Sequence, residues 1–474
     1  MRNSTRTTAA VLALSAAVGS HAGTGFTLNG PALTTGGVSN GQSLLSLSAN
    51  PAAVGFDRSR AKGDSHVLGG IYAGGGLEYG DAEELFDQYD ALADALTDSG
   101  GFVNGLSFTA IDPNNPDFSA LVAQINTEAQ QVDTLLALVG QEGYANADLG
   151  FHGAFIINGD VFGGTLGFDL NYSGSASASS IIDPLAFDAD AALTELDTAY
   201  TLTPGDPVTT FDLTGGISLN INPTTGAVSG AFTNDSLLAV RAAEQTQLGM
   251  SYSYPITLSD NSRVYLGAKA KVVQLGLSRV MPRIGDITDS EALFDDISDA
   301  DMKTTSNLSL DLGALWVSEH VSAGISVEDI LEPEYKFNAI DTTGYSAAAA
   351  AAVARLGNYQ QEAKVSIEAS VYTADRTWAL SSYVETQATT DAMGEEHQWL
   401  QISGGWHSDS FWLPNVRVGY RANQAGSEVS IYSFGVTLFR YVNVDVATAT
   451  QKVTIEGESL PRGASASMGI NFAF

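Results

Sequence analysis

The sequence predicts an all-β fold, a 14-stranded antiparallel transmembrane β-barrel, and three observations carry that reading. Apolar and polar residues alternate through segment after segment from Val67 onward. The links between those segments are short and long by turns. The chain stops on Phe474, an aromatic residue on the apolar face of its last alternating segment. Composition sets the frame. With 44% hydrophobic residues the chain is too apolar to be a purely solvated one, despite a formal charge of -33. That charge argues against a basic footprint for nucleic acid. Cysteine is absent, which excludes disulfides, thiolate metal sites and a cysteine nucleophile.

Met1-Arg2-Asn3-Ser4-Thr5-Arg6 is basic, Ala9 to Val18 is apolar, and Ser20-His21-Ala22 offers a small-x-small cleavage site. This predicts a secretory signal peptide over 1–22. The apolar run is shorter than the roughly 20 residues a spanning helix needs. Residues 23–65 are rich in Gly, Ser and Asn without a sustained period. Candidate strands follow at 66–78, 147–157, 161–177, 242–256, 263–278, 304–317, 320–329, 361–373, 376–386, 397–407, 413–421, 427–438, 440–449 and 462–474. Their number is even, as a closed up-and-down barrel of this class requires.

Each strand has an apolar and a polar face, because successive side chains point to opposite sides. Val264, Leu266, Ala268, Ala270 and Val272 share one face, opposite Arg263, Lys269 and Lys271. Leu308, Leu310 and Leu312 alternate with Ser309 and Asp311, and Val365, Ile367 and Ala369 with Lys364, Ser366 and Glu368. A soluble sandwich would show the same alternation, but loop lengths separate the two. Short links are expected at Asn158-Gly159, Ser318-Glu319, Ala374-Asp375 and around Phe439, with the longest at 79–146, 178–241, 279–303 and 330–360. Short turns on one side and long loops on the other are the outer-membrane arrangement. Turning the polar faces inward predicts lumenal charges of both signs: Lys269, Lys271, Asp311, Glu328, Lys364, Glu368, Arg417, Arg421 and Asp445. No ring of a single sign is evident.

The long loops carry helical spacing. Leu85, Phe86, Tyr89, Leu92, Ala93 and Leu96 recur at that period, as do Leu121, Ile125, Ala129, Val132, Leu136 and Val139. Residues 81–146 hold no Lys or Arg, so a pair of acidic amphipathic helices over the outer mouth, or a docking surface, is expected. Ser346 before the alanine run Ala347 to Ala352 suggests an N-capped helix. No metal-ligand spacing, phosphate loop or nucleophile elbow is present. The six histidines are scattered, and a lone His is not a triad. Acidic clusters at Asp188 and Asp190 and at Asp295 to Asp301 read as solvated loop charge before they read as cation sites. Neither a cofactor, a metal nor an enzymatic activity is expected.

The row Ser43-Leu44-Leu45-Ser46-Leu47-Ser48-Ala49-Asn50-Pro51-Ala52-Ala53-Val54, just before the first strand, resembles the N-terminal plug of FadL-type channels. The acidic helical loop, Asn307-Leu308-Ser309-Leu310-Asp311-Leu312-Gly313 and the Phe474 ending are similar to the TraF-like outer-membrane family, named for plasmid conjugal transfer. The resemblance implies a plug over 23–65 containing Asn50, Pro51 and Ala52, a barrel over 66–474, and Phe474 as the signal read by the barrel-assembly machinery. The bland alternative for Asn50-Pro51 is a tight turn. The implied surroundings are outer-membrane lipid and lipopolysaccharide. The leading expectation is passive uptake of small hydrophobic molecules. A conjugation or envelope-assembly role through the acidic loops, without transport, stays open beside it.

Overall fold

The computed structural model describes residues 29–40, 46–59, 67–80, 118–197, 202–203, 205–287, 300–455 and 458–473. The expected signal peptide, the helix spacing of 85–96, most of the acidic 295–301 cluster and Phe474 lie outside them. Fourteen strands close into one antiparallel barrel. They are β1 (Val67–Tyr79), β2 (Ala145–Val161), β3 (Gly164–Ile181), β4 (Leu237–Ser259), β5 (Ser262–Val280), β6 (Lys303–Ser318) and β7 (Val321–Glu328), followed by β8 (Lys364–Tyr372), β9 (Trp378–Glu385), β10 (Trp399–Trp406), β11 (Asn415–Asn423), β12 (Ser430–Leu438), β13 (Val442–Ala449) and β14 (Gly463–Ala473). Each strand pairs with the next, and β14 returns to β1 with Leu77 opposite Ala464. Closure leaves no unpaired sheet edge.

Alternation decides which side chain points where. Leu308 is 68% exposed on the outer wall, while Ser309 at 3% and Asp311 at 0% are buried inside. Leu266, Ile325, Ile367, Leu380, Val418 and Phe434 likewise project outward. The short links at Asp260–Asn261, Glu319–His320 and Phe439–Tyr441 lie at one end, and the long connections at the other.

One turn sits elsewhere than expected. Asn158-Gly159 does not form the β2–β3 hairpin; β2 runs on to Val161, and Phe162 (φ 53) and Gly163 (φ 82) make the turn. A register shift between Ile157 and Val161 absorbs the Asn-Gly pair. Cross-strand charge explains why. A two-residue turn at Asn158-Gly159 would set Asp148 directly opposite Asp169, an unfavourable like-charge pair. In the observed register Asp148 faces Ser175, whose Oγ donates to its carboxylate at 2.8 Å.

At the outer end the apolar stripe of Ser119–Glu142 forms a helix as its spacing predicts, with Ile125, Ala129, Val132, Leu136 and Val139 buried. Its cover is not only helical. A shorter helix, Ala189–Leu196, and a three-stranded sheet of Thr209–Asp212, Ile217–Ile221 and Val228–Phe232 share its core. Those strands are too short for their alternation to stand out in sequence. Asp188 caps the shorter helix by accepting from Asp190 N and Ala191 N, which gives that acidic pair a structural role. Ser346 caps Ala347–Arg355 as expected, accepting from Ala349 N at 3.1 Å.

Candidate functional site

The N-terminal segment runs inside the barrel as three short helices, α1 (Ala32–Thr35), α2 (Ser46–Ala49) and α3 (Ala53–Ser59). Polar groups along it meet the inner wall one by one. Gly30 N donates to Ser467 Oγ at 2.6 Å, Thr34 Oγ1 to Asp445 at 2.6 Å, and Gln401 Nε2 to Thr34 O at 2.9 Å. Glu368 accepts from Ser39 N, from Ser39 Oγ at 2.8 Å and from Asn50 Nδ2 at 2.7 Å. Lys269 Nζ donates to Ser48 O at 2.6 Å, and Ser253 Oγ to Ala52 O at 2.9 Å. A buried polar group left unpaired costs about 1–3 kcal/mol, so these bonds are what lets polar backbone lie in the lumen.

Asn50-Pro51-Ala52 is both a turn and a contact. Ala52 N donates to Asn50 Oδ1 at 3.0 Å, while the Asn50 amide reaches Glu368. The wall is hollowed to receive it: Gly267 and Gly313 face each other on β5 and β6, and a Cβ on either would overlap Asn50, Pro51 or Ala52.

Charges occupy two heights. Low in the barrel Arg417 pairs with Asp445 at 2.9 Å, beside Thr34. Higher up, Asp311 takes Lys269 at 3.0 Å and Lys271 at 2.9 Å, and Lys271 also reaches Asp329 at 2.7 Å. Lys364 lies 3.1 Å from Glu328 and 3.8 Å from Glu385. Register creates two of these pairs, since Lys269 faces Asp311 and Lys364 faces Glu328 across neighbouring strands. Arg421 sits 4.7 Å over the Trp399 ring. All nine charged residues named from sequence are thus found on inward positions, eight of them gathered with Asp329 and Glu385 into networks or contacts with the N-terminal segment. Sequence reasoning passed over Asp329 and Glu385 because Glu385 is the last residue of β9 and Asp329 lies one past the end of β7, where facing is hardest to read.

Within this belt lies a cavity of about 380 Å³, floored by Ala32, Gly36, Ser48 and Ala49 and walled by the belt residues and by others such as Asn171, Gln247 and Tyr383. Its roof includes Tyr359, Gln361 and the hairpin Thr389–His397, which folds into the mouth with Met393 buried. Arg241 donates to Met393 O and holds the hairpin to β4. Within it Asp391 accepts from Met393 N and Glu395 N, each at 2.9 Å, and lies 3.1 Å from His397 Nε2. Burial disfavours the charged form of His397, but the Asp391 bond and the nearby Glu395 and Glu385 carboxylates outweigh it and raise its pKa. Burial pushes Glu395 up as well. The hairpin has no strong sequence signal, being two residues of strand on each side of a turn.

A Ser–His contact was not anticipated: Ser48 Oγ lies 2.9 Å from His152 Nε2 at the cavity floor. Among the described residues no carboxylate hydrogen-bonds the other ring nitrogen, so the pair lacks the orienting member of a triad. No group of metal-ligating side chains occurs among the described residues.

The sequence matches the family model described as "F plasmid transfer operon, TraF, protein" over residues 48–384. The chain belongs to this TraF family. The match begins within α2, so it takes in Asn50-Pro51-Ala52, and ends within β9. Solved structures similar to this TraF-family chain include a TodX mutant titled a monoaromatic hydrocarbon channel, at 9% identity over 94% of this chain and 98% of that one, with a TM-score of 0.42. A Pseudomonas aeruginosa FadL homologue is 12% identical over 96% and 98%, with a TM-score of 0.33. The transport unit of the Escherichia coli autotransporter AIDA-I is 8% identical over 92% and 99%, with a TM-score of 0.29. No curated protein matches the sequence.

Proposed function

We propose that this TraF-family chain is an outer-membrane barrel that passes small solutes through its lumen, with residues 23–65 as the plug that gates it. The observation that carries the reading is the seating of Asn29–Asn40 and Ser46–Ser59 against the inner wall, bonded to Ser467, Asp445, Gln401, Glu368, Lys269 and Ser253. The segment is joined to the wall by hydrogen bonds, several of them to charged groups, and by the buried side chains of Leu33, Leu47, Val54 and Phe56, but its described residues pair with no barrel strand, so it can leave as a unit without a strand being unpaired. The apolar outer wall supports placement in lipid, and closure satisfies the backbone there. The family likeness implied an apolar solute, whereas the charged and amide lining of the cavity supports a polar one.

Deleting residues 23–60, with the signal retained, leaves a folded barrel that conducts in planar bilayers where the intact protein stays closed. Unaltered conductance, with assembly confirmed by heat-modifiable migration on gels, sinks the gate. A second reading has one observation in its favour. From Gly63 to Val240 the chain contains no Lys or Arg, a stretch that includes the folded unit built on Ser119–Glu142. That charge suits docking of a basic partner in conjugation or envelope assembly, and a plug-deleted barrel that still conducts nothing favours it.

A further inference from the structure

We propose that the lumenal cavity is a binding chamber for a small, uncharged, hydrogen-bonding solute of the sugar kind, held between a carboxamide wall and an aromatic wall. This rests on the reading of the barrel as a solute channel. Lys269, Lys271 and Lys364 each have a carboxylate within 3.1 Å, and Arg421, which also lines the cavity, lies 4.7 Å over the Trp399 ring, so a charged ligand must break an existing buried pair or draw Arg421 off that ring to gain its own. Breaking such a pair strands the other charge, which costs more than the new contact returns. An apolar ligand fares no better, because it would strip water from these groups and satisfy none of them.

Neutral groups are the ones left unengaged. The side chains of Asn171, Gln245 and Gln361 line the cavity and make no hydrogen bond to another described residue. Two of them form one patch: Asn171 on β3 faces Gln247 on β4, and Ser173 faces Gln245 in the next inward pair. A carboxamide offers donors and an acceptor together without charge, which matches a hydroxyl that both donates and accepts. Six strands on from β3, nearly half-way round the closed sheet of fourteen, β9 brings Tyr383 to the same cavity, and Trp399 on β10 lines it too, with its ring already carrying Arg421 and stacked on His397. An aromatic ring packs the apolar edge of a sugar while its hydroxyls turn to the amides. The cavity, at about 380 Å³, falls within the range of small-ligand sites, roughly 300–1,000 Å³.

The test uses the intact, plugged protein in detergent, so it does not depend on conductance. Sucrose, lysine, glutamate and toluene serve as probes, with binding read by calorimetric titration and saturation-transfer NMR. Sucrose binds saturably, and the other three do not. The double variant Asn171→Leu with Gln245→Leu binds sucrose on the order of tenfold more weakly, the worth of about one hydrogen bond. Gln361→Leu, in a loop away from the barrel wall, gives a loss in the same direction and covers the case in which the wall variant fails to assemble. Absence of saturable sucrose binding, sucrose affinity unchanged by these variants, or saturable toluene binding that competes with sucrose overturns the chamber. A plug-deleted barrel that fails to conduct while sucrose still binds removes the channel reading alone.

Discussion

Asp311 is the single side chain on which most of the upper belt depends. Its carboxylate is fully buried and serves Lys269 and Lys271 while also accepting from Asp329 N at 2.9 Å. Desolvating three charges is repaid only while every partner stays in place. Asp311→Asn therefore leaves the buried Lys269 ammonium without its carboxylate, while Lys271 keeps Asp329, at a cost of about 3–5 kcal/mol where a partner is removed from a buried pair. The temperature at which the barrel loses its unheated gel mobility should drop markedly. Asp375→Asn, in the exposed turn below β8, should leave it unchanged, although the Asp375 carboxyl is held down to about 2 by hydrogen bonds from Thr373 and Thr377. Equal effects would mean that the Asp311 network is bathed in water and contributes nothing.

At the scale of elements, the inward hairpin Thr389–His397 is the piece whose position depends on titration. His397 is bonded to Asp391, stacks on Trp399 with ring centroids 6.1 Å apart, and has Glu395 and Glu385 nearby. Its folded pKa is raised above the ordinary value of about 6.5. The sign follows from linkage: the added stability is fully present below about 6.5 and is lost as pH rises through the raised value. Hydrogen exchange in residues 389–397, corrected for intrinsic rates, should be slowest at mildly acidic pH and quicken above neutrality. His397→Ala should flatten that dependence, and a wild-type hairpin that exchanges equally at both pH values would refute the lock. The β2–β3 hairpin teaches the complementary lesson. Its Asn-Gly pair is a strong local turn signal, yet the pairing of Asp148 with Ser175 rather than Asp169 moves the turn to Phe162-Gly163.

For the whole molecule, the apolar outer wall and the closed sheet lead to a prediction about place. Fractionation should recover the protein with outer membranes, in a form whose gel migration changes on heating. Recovery from the soluble periplasm would end the membrane reading. Within the barrel the charges are divided by height: the lower pair Arg417–Asp445 and Glu368 hold the N-terminal segment, while the upper belt surrounds the cavity and reaches the segment through Lys269 and Ser48. The N-terminal segment floors that cavity, so gate and chamber share residues, and it is the readouts that separate them: conductance of the plug-deleted barrel for the gate, binding by the intact protein for the chamber.

The strand count, the inward and outward faces and the alternation of short and long links were all legible in the sequence. Each rests on a period of two and on turn composition, which are local properties. The inward direction of Lys269, Asp311 and Arg417 followed from the same period. What each of them meets did not. Lys269 finds Asp311 because β5 and β6 pair in one register, and Asn50 finds Glu368 across 318 residues of chain because glycines on β5 and β6 leave a hollow for it. The hairpin at Thr389–His397 and the small sheet at 209–232 were equally hidden, being too short to show a period. Faces are set by the residue and its neighbours, but partners are set by register and closure, and those exist only once the sheet has come round on itself.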